Sequence, residues 1–294
     1  MSVNMASLYA QEYATRTELL LQQKGSKLRG KVSTGSHVGE QASPIDQLGA
    51  IEAQTPAGRF APIGRVDAKV ERRWVDPVDK DLNQLFDNFD KVRIISDPKS
   101  KYAENSANAF GRAIDYEIIR AALATSKIGK TGTGTEAFDT TNFSIAADFG
   151  AAAATGLTVA KLIEARRMFE AAFVDIESDP LCLVISARQH ANLLNQAQVQ
   201  SRDFTDKPAL INGRVTSFIG FDIVVSEYLT KVGNDRYNIA FAKSGLYLGM
   251  WEDMTSSVDM RKDLSGHPWQ HYAKMTFGAT RLEQGKVIRI LATE

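Results

Sequence analysis

The sequence predicts an α+β fold, in which helices and strands occur in separate runs rather than in regular alternation. Residues 65–75 alternate between apolar and charged side chains, which indicates a half-exposed strand. Arg72 interrupts the apolar row of Val66, Ala68, Val70 and Trp74, and the charged row is Asp67, Lys69, Glu71 and Arg73. Residues 101–124 place apolar side chains three and four positions apart, which indicates the longest helix of the chain. Residues 181–292 mix short apolar runs with one more helical stretch, so the second half of the chain supplies most of the strands.

Further helices are predicted wherever apolar side chains recur at helical spacing. Residues 79–95 are predicted as a short helix because Leu82 and Leu85 have this spacing, and the helix would run into a strand at its end. Residues 158–174 are predicted as an amphipathic helix with Thr158 as its candidate N-cap. Its apolar face comprises Val159, Leu162, Ile163, Phe169 and Phe173. The remaining predicted elements are a helix at 187–197 and strands at 181–185, 216–225, 237–242, 245–250 and 275–292.

The segment 30–64 is rich in glycine, proline and polar residues, which predicts an extended segment with little helix. A long segment without regular structure is uncommon inside a compact domain and often binds a partner. A basic cluster lies at its start and has two interpretations: a solvated tether, or a contact with DNA phosphates or an acidic neighbour. The cluster comprises Lys24, Lys27, Arg29 and Lys31.

Composition excludes several classes of protein. The 294 residues carry 35 basic and 35 acidic side chains, which argues against tight sequence-specific binding of nucleic acid. No apolar run approaches the ~18–20 residues of a transmembrane helix, and the first thirty residues lack a secretory signal pattern. Cys182 is the single cysteine, so no intrachain disulfide forms, and its apolar surroundings predict a buried hydrophobic side chain.

No motif in the sequence has the context that its chemistry requires. Residues 124–131 resemble a phosphate-binding loop, but a predicted helix precedes them and no helix starts after them, so a flexible loop is favoured. Asp79, Asp81 and Asn83 resemble the start of a calcium loop, but the position of the sharp turn is Gln84, so an acidic helix face is favoured. The sequence therefore predicts no catalytic residue, no cofactor and no metal site.

Five stretches, taken in order, resemble the major capsid proteins of tailed bacteriophages. That family has the Hong Kong-type fold, which encapsulins and herpesvirus shells share. The stretches are 21–29 (LQQKGSKLR), 97–123 (DPKSKYAENSANAFGRAIDYEIIRAAL), 183–190 (LVISARQH), 212–221 (NGRVTSFIGF) and 277–288 (FGATRLEQGKVI). The resemblance implies an order of parts: an N-terminal arm at 1–40, an extended E-loop hairpin at 41–78, a P-domain at 79–185 with a spine helix at 101–124 and a helix at 158–174, a region at 186–255 that is mainly A-domain, and P-domain strands again at 256–294.

The resemblance also implies a function in a virion, made and assembled in the cytoplasm of a bacterial host. The chain would assemble with itself into hexamers and pentamers of an icosahedral head that encloses double-stranded DNA without sequence specificity, and it would not be an enzyme or bind a membrane. Fewer than forty residues precede the loop region, so either a separate scaffolding protein or an already processed chain is expected. A portal and an optional decoration protein are further expected partners. Three alternatives remain: an encapsulin-like compartment, a minor head component, and an enzyme that uses the loop at 129–135.

A glycine-rich arm and a charged, half-exposed ribbon cannot bury enough surface within one subunit, so neighbouring copies are expected to supply their contacts. The hypothesis is that cations of the loop meet acids on the spine helix of the next subunit. The interface candidates on the loop are Arg65, Lys69, Arg72, Arg73 and Trp74, and those on the spine are Glu104, Asp115 and Glu117.

Overall fold

A computed structural model describes residues 22–39, 43–55, 58, 64–86, 99–196, 210–211 and 214–294. Three α-helices lie in this part of the chain: α1 (Lys99–Leu123), α2 (Val159–Ala171) and α3 (Ala187–Leu194). The strands are β1 (Ser33–Ser36), β2 (Ser43–Leu48), β3 (Val70–Val75), β4 (Val78–Phe86), β5 (Ser126–Ile128), β6 (Gly134–Glu136), β7 (Ser144–Ile145), β8 (Leu181–Ile185), β9 (Leu210–Ile211), β10 (Arg214–Val215), β11 (Ser217–Phe218), β12 (Phe221–Val225), β13 (Lys231–Val232), β14 (Asp235–Ala242), β15 (Leu246–Met260), β16 (Trp269–Arg281) and β17 (Val287–Thr293).

The described strands form four sheets. The largest runs β11-β12-β8-β14-β17-β7, and β13 pairs with β14 beside it. A second sheet has the order β1-β15-β16-β4, a third has the order β2-β3-β5-β6, and β9 pairs with β10 alone. Helices and strands thus occur as a mixed α+β fold, as the sequence predicts.

The core of the largest sheet follows from the apolar sequence of β8, whose five residues are all buried. β8 pairs in parallel with β12 and antiparallel with β14, so Leu183 lies between Ile223 and Ala240. α2 covers this sheet with an apolar face that includes Leu162 and Phe169, both fully buried. A strand buried on both faces reads as a continuous apolar run, which is why the sequence predicts β8 correctly.

Helix α2 begins where the sequence places its cap. The Thr158 hydroxyl accepts a hydrogen bond from the backbone N–H of Lys161, as an N-cap side chain does. α1 likewise matches its prediction, beginning at Lys99 and ending at Leu123. Periodic burial of one helical face is a local property of the sequence, and these two helices are confirmed.

The chain divides into two compact units. Of the described residues, the first unit contains 22–26, 79–86, 99–113 and 252–276. The second unit contains 27–39, 43–55, 58, 64–78, 114–196, 210–211, 214–251 and 277–294. The largest sheet, α2 and α3 therefore lie wholly within the second unit.

The predicted helix at 79–95 is wrong over the part that the structure describes. Residues 78–86 form β4, which pairs with β16, and two pairs of side chains bond across these strands. The Thr276 hydroxyl donates to Asp79 at 2.7 Å, and the Gln270 amide donates to Asn83 at 3.0 Å. The apolar spacing in this segment is compatible with a helix, and pairing with a distant strand decides the outcome.

The observed strand is shorter than the strand predicted at 65–75, and its buried face is the one that was predicted to be charged. Only Val70–Val75 are strand, and its buried side chains are Arg73 and Val75, whereas Val70 is exposed. The sequence pattern predicts the opposite arrangement, with Val70 on the apolar face and Arg73 on the charged face. An alternating pattern fixes which residues share a face but not which face is buried.

Some predictions fall outside the described residues. They are the part of the arm at 1–21 and the strand predicted at the end of the helix 79–95.

Candidate assembly surfaces

Strands β2 and β3 form an antiparallel hairpin, and its register is continuous from Ser43 opposite Val75 to Leu48 opposite Val70. Beyond Leu48, the Gly49 N–H donates to the Lys69 carbonyl at 2.7 Å, which extends the pairing by one position. The hairpin therefore has an inner end, at Ser43 and Val75, and an outer end beyond Leu48.

The outer half of the hairpin, defined as residues 48–55 and 64–70, is almost wholly exposed. Its apolar side chains include Leu48, which is 75% exposed, and Val70, which is 68% exposed. Ile51 and Val66 are also exposed. A row of exposed apolar side chains on a strand ribbon is a typical docking surface for another chain.

The cations of the hairpin pair with acids of the same hairpin. Arg72 lies opposite Asp46 and binds both of its carboxylate oxygens, at 2.5 and 3.0 Å, and this bond lowers the pKa of Asp46. Arg65 pairs with Asp67 at 2.8 Å, and Lys69 pairs with Glu71. Such exposed pairs contribute little to stability because solvent screens them, so a neighbouring chain could replace either partner at little cost.

The inner end of the hairpin is anchored on the short strands β5 and β6. Arg73 lies opposite Ile128, and its buried guanidinium pairs with Glu136 and, at 3.3 Å, with Glu71. The Trp74 indole N–H donates to the Gly129 carbonyl at 2.8 Å. Arg73 and Trp74 therefore hold the base of the hairpin in this structure.

The loop at 124–131, which resembles a phosphate-binding loop in sequence, is part of a β-hairpin. β5 leads into a turn at Gly129 and Gly132, both with positive φ, and β6 returns antiparallel to β5. A side chain at Gly132 would lie 3.1 Å from the Trp74 ring, so the turn packs closely on the hairpin base. A phosphate-binding loop needs a following helix N-terminus, and a strand follows here.

Arg281 reinforces this base, and sequence analysis missed it. Its guanidinium is buried and donates to the carbonyls of Ala122, Ala124 and Glu136, at 2.9, 2.8 and 3.2 Å. Burial lowers the pKa of Arg281 to about 10. Arg281 lies in a predicted strand, where an arginine is ordinarily solvated, so its sequence gave no signal of this role.

The three candidate acids of the spine helix differ in their surroundings. Asp115 is buried, and its carboxylate accepts the backbone N–H groups of Lys27 and Leu28, each at 3.0 Å. Glu117 is also buried, and it pairs with Arg120 one turn further on. Glu104 is half-buried. In this structure Asp115 and Glu117 serve contacts within their own chain.

The arm after residue 26 lies against its own subunit. Leu28 and Val32 are buried, Lys31 pairs with Asp222 at 2.7 Å, and the Lys27 ammonium donates to the Val225 carbonyl at 2.8 Å. The hydrogen bond with Asp222 raises the pKa of Lys31. The expectation that this part of the arm finds its contacts only on other molecules is wrong, because its acidic and apolar partners are its own.

Residues 22–26 also have partners within the first unit. The Gly25 N–H donates to the Asn108 side chain at 3.0 Å, and Arg112 donates to the Gln22 side chain at 2.7 Å. A side chain at Gly111 would lie 2.3 Å from the backbone of Gly25, so only glycine permits this approach of the arm to α1.

An aromatic cluster of His37, Tyr247 and Trp251 follows strand β1 and connects the arm to β15. β1 runs parallel to β15 from Ser33 opposite Tyr247, and the Tyr247 hydroxyl lies 2.8 Å from the His37 Nε2 atom. The His37 ring also lies 5.1 Å from the Trp251 ring, and burial lowers the pKa of His37. A side chain at Gly35 would overlap the Tyr247 hydroxyl, so a substitution there would displace the Tyr247 ring from its contact with His37.

A second surface, also missed by sequence analysis, lies at the end of α2. Phe173 follows the helix with a φ of +56° and is 96% exposed. Phe173 therefore has the left-handed conformation that glycine usually adopts just after a helix ends. Its backbone N–H donates to the Glu170 carbonyl. A left-handed non-glycine residue costs about 1–2 kcal/mol. The sequence predicts Phe173 on the apolar face of a helix that continues to residue 174. The observed helix α2 ends at Ala171, so Phe173 lies outside it.

The described residues include no group of three or more histidine, cysteine, aspartate and glutamate side chains placed to hold a metal ion. Likewise, none of the helices in the described ranges is long and apolar enough to cross a membrane. Cys182 is buried in β8, and burial raises the pKa of its thiol to about 12. The prediction that it is a buried hydrophobic side chain is confirmed.

A family model described as phage capsid protein matches residues 5–294. The chain belongs to the phage capsid protein family. Because that family is one of phage capsids, this capsid protein is a virion component of the head shell, and the encapsulin-like alternative is not favoured. No curated protein matches the sequence significantly.

Solved structures agree on the fold of this capsid protein. The capsid of the cyanophage P-SCSP1u is similar with a TM-score of 0.77 and 16% identity, covering 100% of this chain and 96% of that one. The capsid of Helicobacter pylori bacteriophage KHP30 has a TM-score of 0.72 and 10% identity over 100% of this chain and 98% of that one. A chain of Mycobacterium phage Che8 has a TM-score of 0.65 and 16% identity over 96% and 97%. These likenesses confirm the predicted Hong Kong-type capsid fold.

Proposed function

We propose that this chain is the major subunit of a tailed-phage head, forms hexamers and pentamers, and encloses double-stranded DNA. The observation that carries the proposal is the exposed outer half of the hairpin. Leu48, Ile51, Val66 and Val70 expose their apolar side chains there, and a neighbouring subunit would cover them. The segment is the E-loop of the resemblance, and its role between subunits is the expectation under test.

The cations that remain available to a neighbour are Arg65, Lys69 and Arg72. Arg65 and Lys69 have side chains that are 85% and 80% exposed, and their present pairs with acids of the hairpin contribute little. Arg73, Asp115 and Glu117 are buried, so we assign them to the stability of the subunit rather than to its interfaces. Glu104 stays the spine acid proposed to face a neighbouring loop.

The proposed partners beyond the chain itself are a separate scaffolding protein, a portal, packaged DNA and an optional decoration protein. Equal numbers of basic and acidic residues favour DNA contacts that are weak and independent of sequence. We also propose that the protein has no catalytic role and that assembly takes place in the bacterial cytoplasm.

Charge reversal on the outer hairpin tests this proposal. The double variant Arg65→Glu with Lys69→Glu leaves the buried base intact, so the subunit should fold with an unchanged melting temperature. It should fail to form closed shells in negative-stain images, with or without a candidate scaffolding protein. The matched control is Lys243→Glu with Lys262→Glu, which changes the charge equally at exposed positions elsewhere.

Normal shells from the hairpin variant would contradict the assigned contact. Failure of the unaltered protein to form any particle, under all assembly conditions and with scaffold, would contradict the proposed function itself. Particles that hold protein cargo and no DNA would point instead to a compartment of the encapsulin type.

A further inference from the structure

A groove of about 580 Å³ lies between α2 and the segment that contains β7. Its wall is largely apolar and includes Phe143, Ile145 and Met168, while Glu164 and Arg167 stand at its rim. The Arg167 side chain is 63% exposed. A concave apolar wall with a few charged groups at the rim is typical of a site that receives a large apolar side chain.

Phe173 has the properties of the side chain that such a groove receives. It is more exposed than any other aromatic side chain in the described part of the chain, and it does not line the groove of its own subunit. Its rigid ring loses little conformational freedom when it is buried, and aromatic side chains often provide the anchor of an interface. The exposed acids Asp175 and Glu177 follow it closely in sequence.

Charge also matches between the two features. The projecting Phe173 is followed by the carboxylates of Asp175 and Glu177, whereas the exposed guanidinium of Arg167 at the groove rim pairs with Glu164 of its own subunit, at 2.6 and 2.9 Å. Because an exposed pair of this kind contributes little to stability, Arg167 can exchange Glu164 for an acid beside the inserted ring, which favours one orientation of the ring.

We infer that Phe173 of one subunit inserts into the groove between α2 and β7 of an adjacent subunit of the shell. The inference rests on the proposed function, since it requires copies of the chain side by side. Each copy carries one projecting ring and one groove, so the contact is head-to-tail and can repeat around a closed ring of subunits. The contact also explains two properties of the isolated subunit: the apolar ring of Phe173 lies in water, and its backbone has a strained conformation.

The variant Phe173→Gly separates folding from assembly. Glycine adopts a positive φ without strain, so the melting temperature of the unassembled subunit should stay the same or rise. The concentration of subunits needed for shell assembly, followed by light scattering, should increase at least tenfold. Phe173→Leu, which keeps a large apolar side chain, should restore most of the assembly.

A change in the groove should act on the same contact. Ala172 lines the groove and is exposed, so Ala172→Glu should raise the assembly concentration by a factor similar to that of Phe173→Gly. Because both substitutions remove one contact, the double variant should be no worse than the more severe single variant. Multiplied effects in the double variant would overturn the inference.

Crosslinking supplies a second measurement. Cys182 is buried and will not compete, so Phe173→Cys with Phe149→Cys places one new thiol on the ring position and one in the groove. Oxidised shells should give a ladder of linked subunits, whereas Phe173→Cys alone should not. If the unaltered protein forms shells but Phe173→Gly assembles at the same concentration, this inference fails while the proposed function stands.

Discussion

The arm segment 27–32 and the outer half of the hairpin have a similar character in sequence, but their surroundings in the structure are opposite. Both contain glycine, apolar residues and at least two cations. Leu28 of the arm is 0% exposed, whereas Leu48 of the hairpin is 75% exposed. The arm therefore packs against its own chain, whereas the outer half of the hairpin exposes the same type of side chain to solvent.

The difference arises because the arm contacts groups that are distant in sequence but belong to the same chain. Asp115 receives two backbone N–H groups of the arm, and Asp222 receives the Lys31 ammonium. In the described part of the outer hairpin, Arg65 pairs with Asp67 and Lys69 pairs with Glu71, both acids of the same hairpin. A segment that neutralises its own charges but exposes its apolar groups retains an unsatisfied surface, which is the property that assembly requires.

The largest expected effect comes from the same substitution made in both regions. Leu28→Ala should lower the free energy of unfolding by about 2–5 kcal/mol because it leaves a cavity in a closed site. Leu48→Ala should change it by less than about 0.5 kcal/mol, since the side chain is already in water. Urea denaturation of the unassembled subunit measures both. Equal losses would show that the two regions do not differ as described.

A smaller effect is expected at the acid that holds the arm. Asp115→Asn keeps the shape of the side chain but turns one acceptor into a donor that faces a backbone N–H. The loss should be about 1–3 kcal/mol, the usual range for a buried hydrogen bond to a charged group. Residues 22–39 should also become more sensitive to protease.

The control for that experiment is Asp67→Asn on the hairpin, where the carboxylate is exposed and pairs with exposed Arg65. It should leave both the urea midpoint and the protease pattern of the arm unchanged. A protease-resistant arm in Asp115→Asn would mean that other contacts hold the segment.

The smallest effect concerns the far end of the arm at low pH. Burial lowers the pKa of His37 below its ordinary value, so the unfolded chain binds its proton more readily than the folded one. The stability that depends on neutral His37 is therefore complete above about pH 6.5 and is lost as the pH falls through the lower, folded-state value. Tyr247 does not titrate in this window, because burial raises its pKa.

Hydrogen exchange at the His37 amide, which donates to the Met250 carbonyl at 2.8 Å, reports this loosening directly. After correction for intrinsic rates, exchange should accelerate on acidification from about pH 7.5 to about pH 5. The variant His37→Phe keeps an aromatic ring and should remove the pH dependence. The same acid response in both proteins would assign the effect to another group.

Sequence patterns were sufficient for elements whose burial is local and periodic. The long helix α1, the capped helix α2 and the apolar strand β8 were each predicted near their observed bounds. The segment of β4 was not, because Leu82 and Leu85 satisfy helical and extended patterns alike and only the partner strand β16 selects one. The assembly surfaces were predicted in part: the hairpin was expected, whereas Phe173 was assigned to a helix face.

The amino-acid sequence by itself determined α1, α2 and β8, because the spacing of apolar side chains specifies helices and buried strands within short windows. The capsid fold was predicted from the resemblance of five stretches to phage capsid proteins. Tertiary structure alone decided which charged side chains are internal. Arg73, Asp115 and Arg281 became buried because acids, backbone N–H groups and carbonyls far away in the chain satisfy them. It likewise decided that Leu48 and Phe173 face solvent, since their side chains are 75% and 96% exposed.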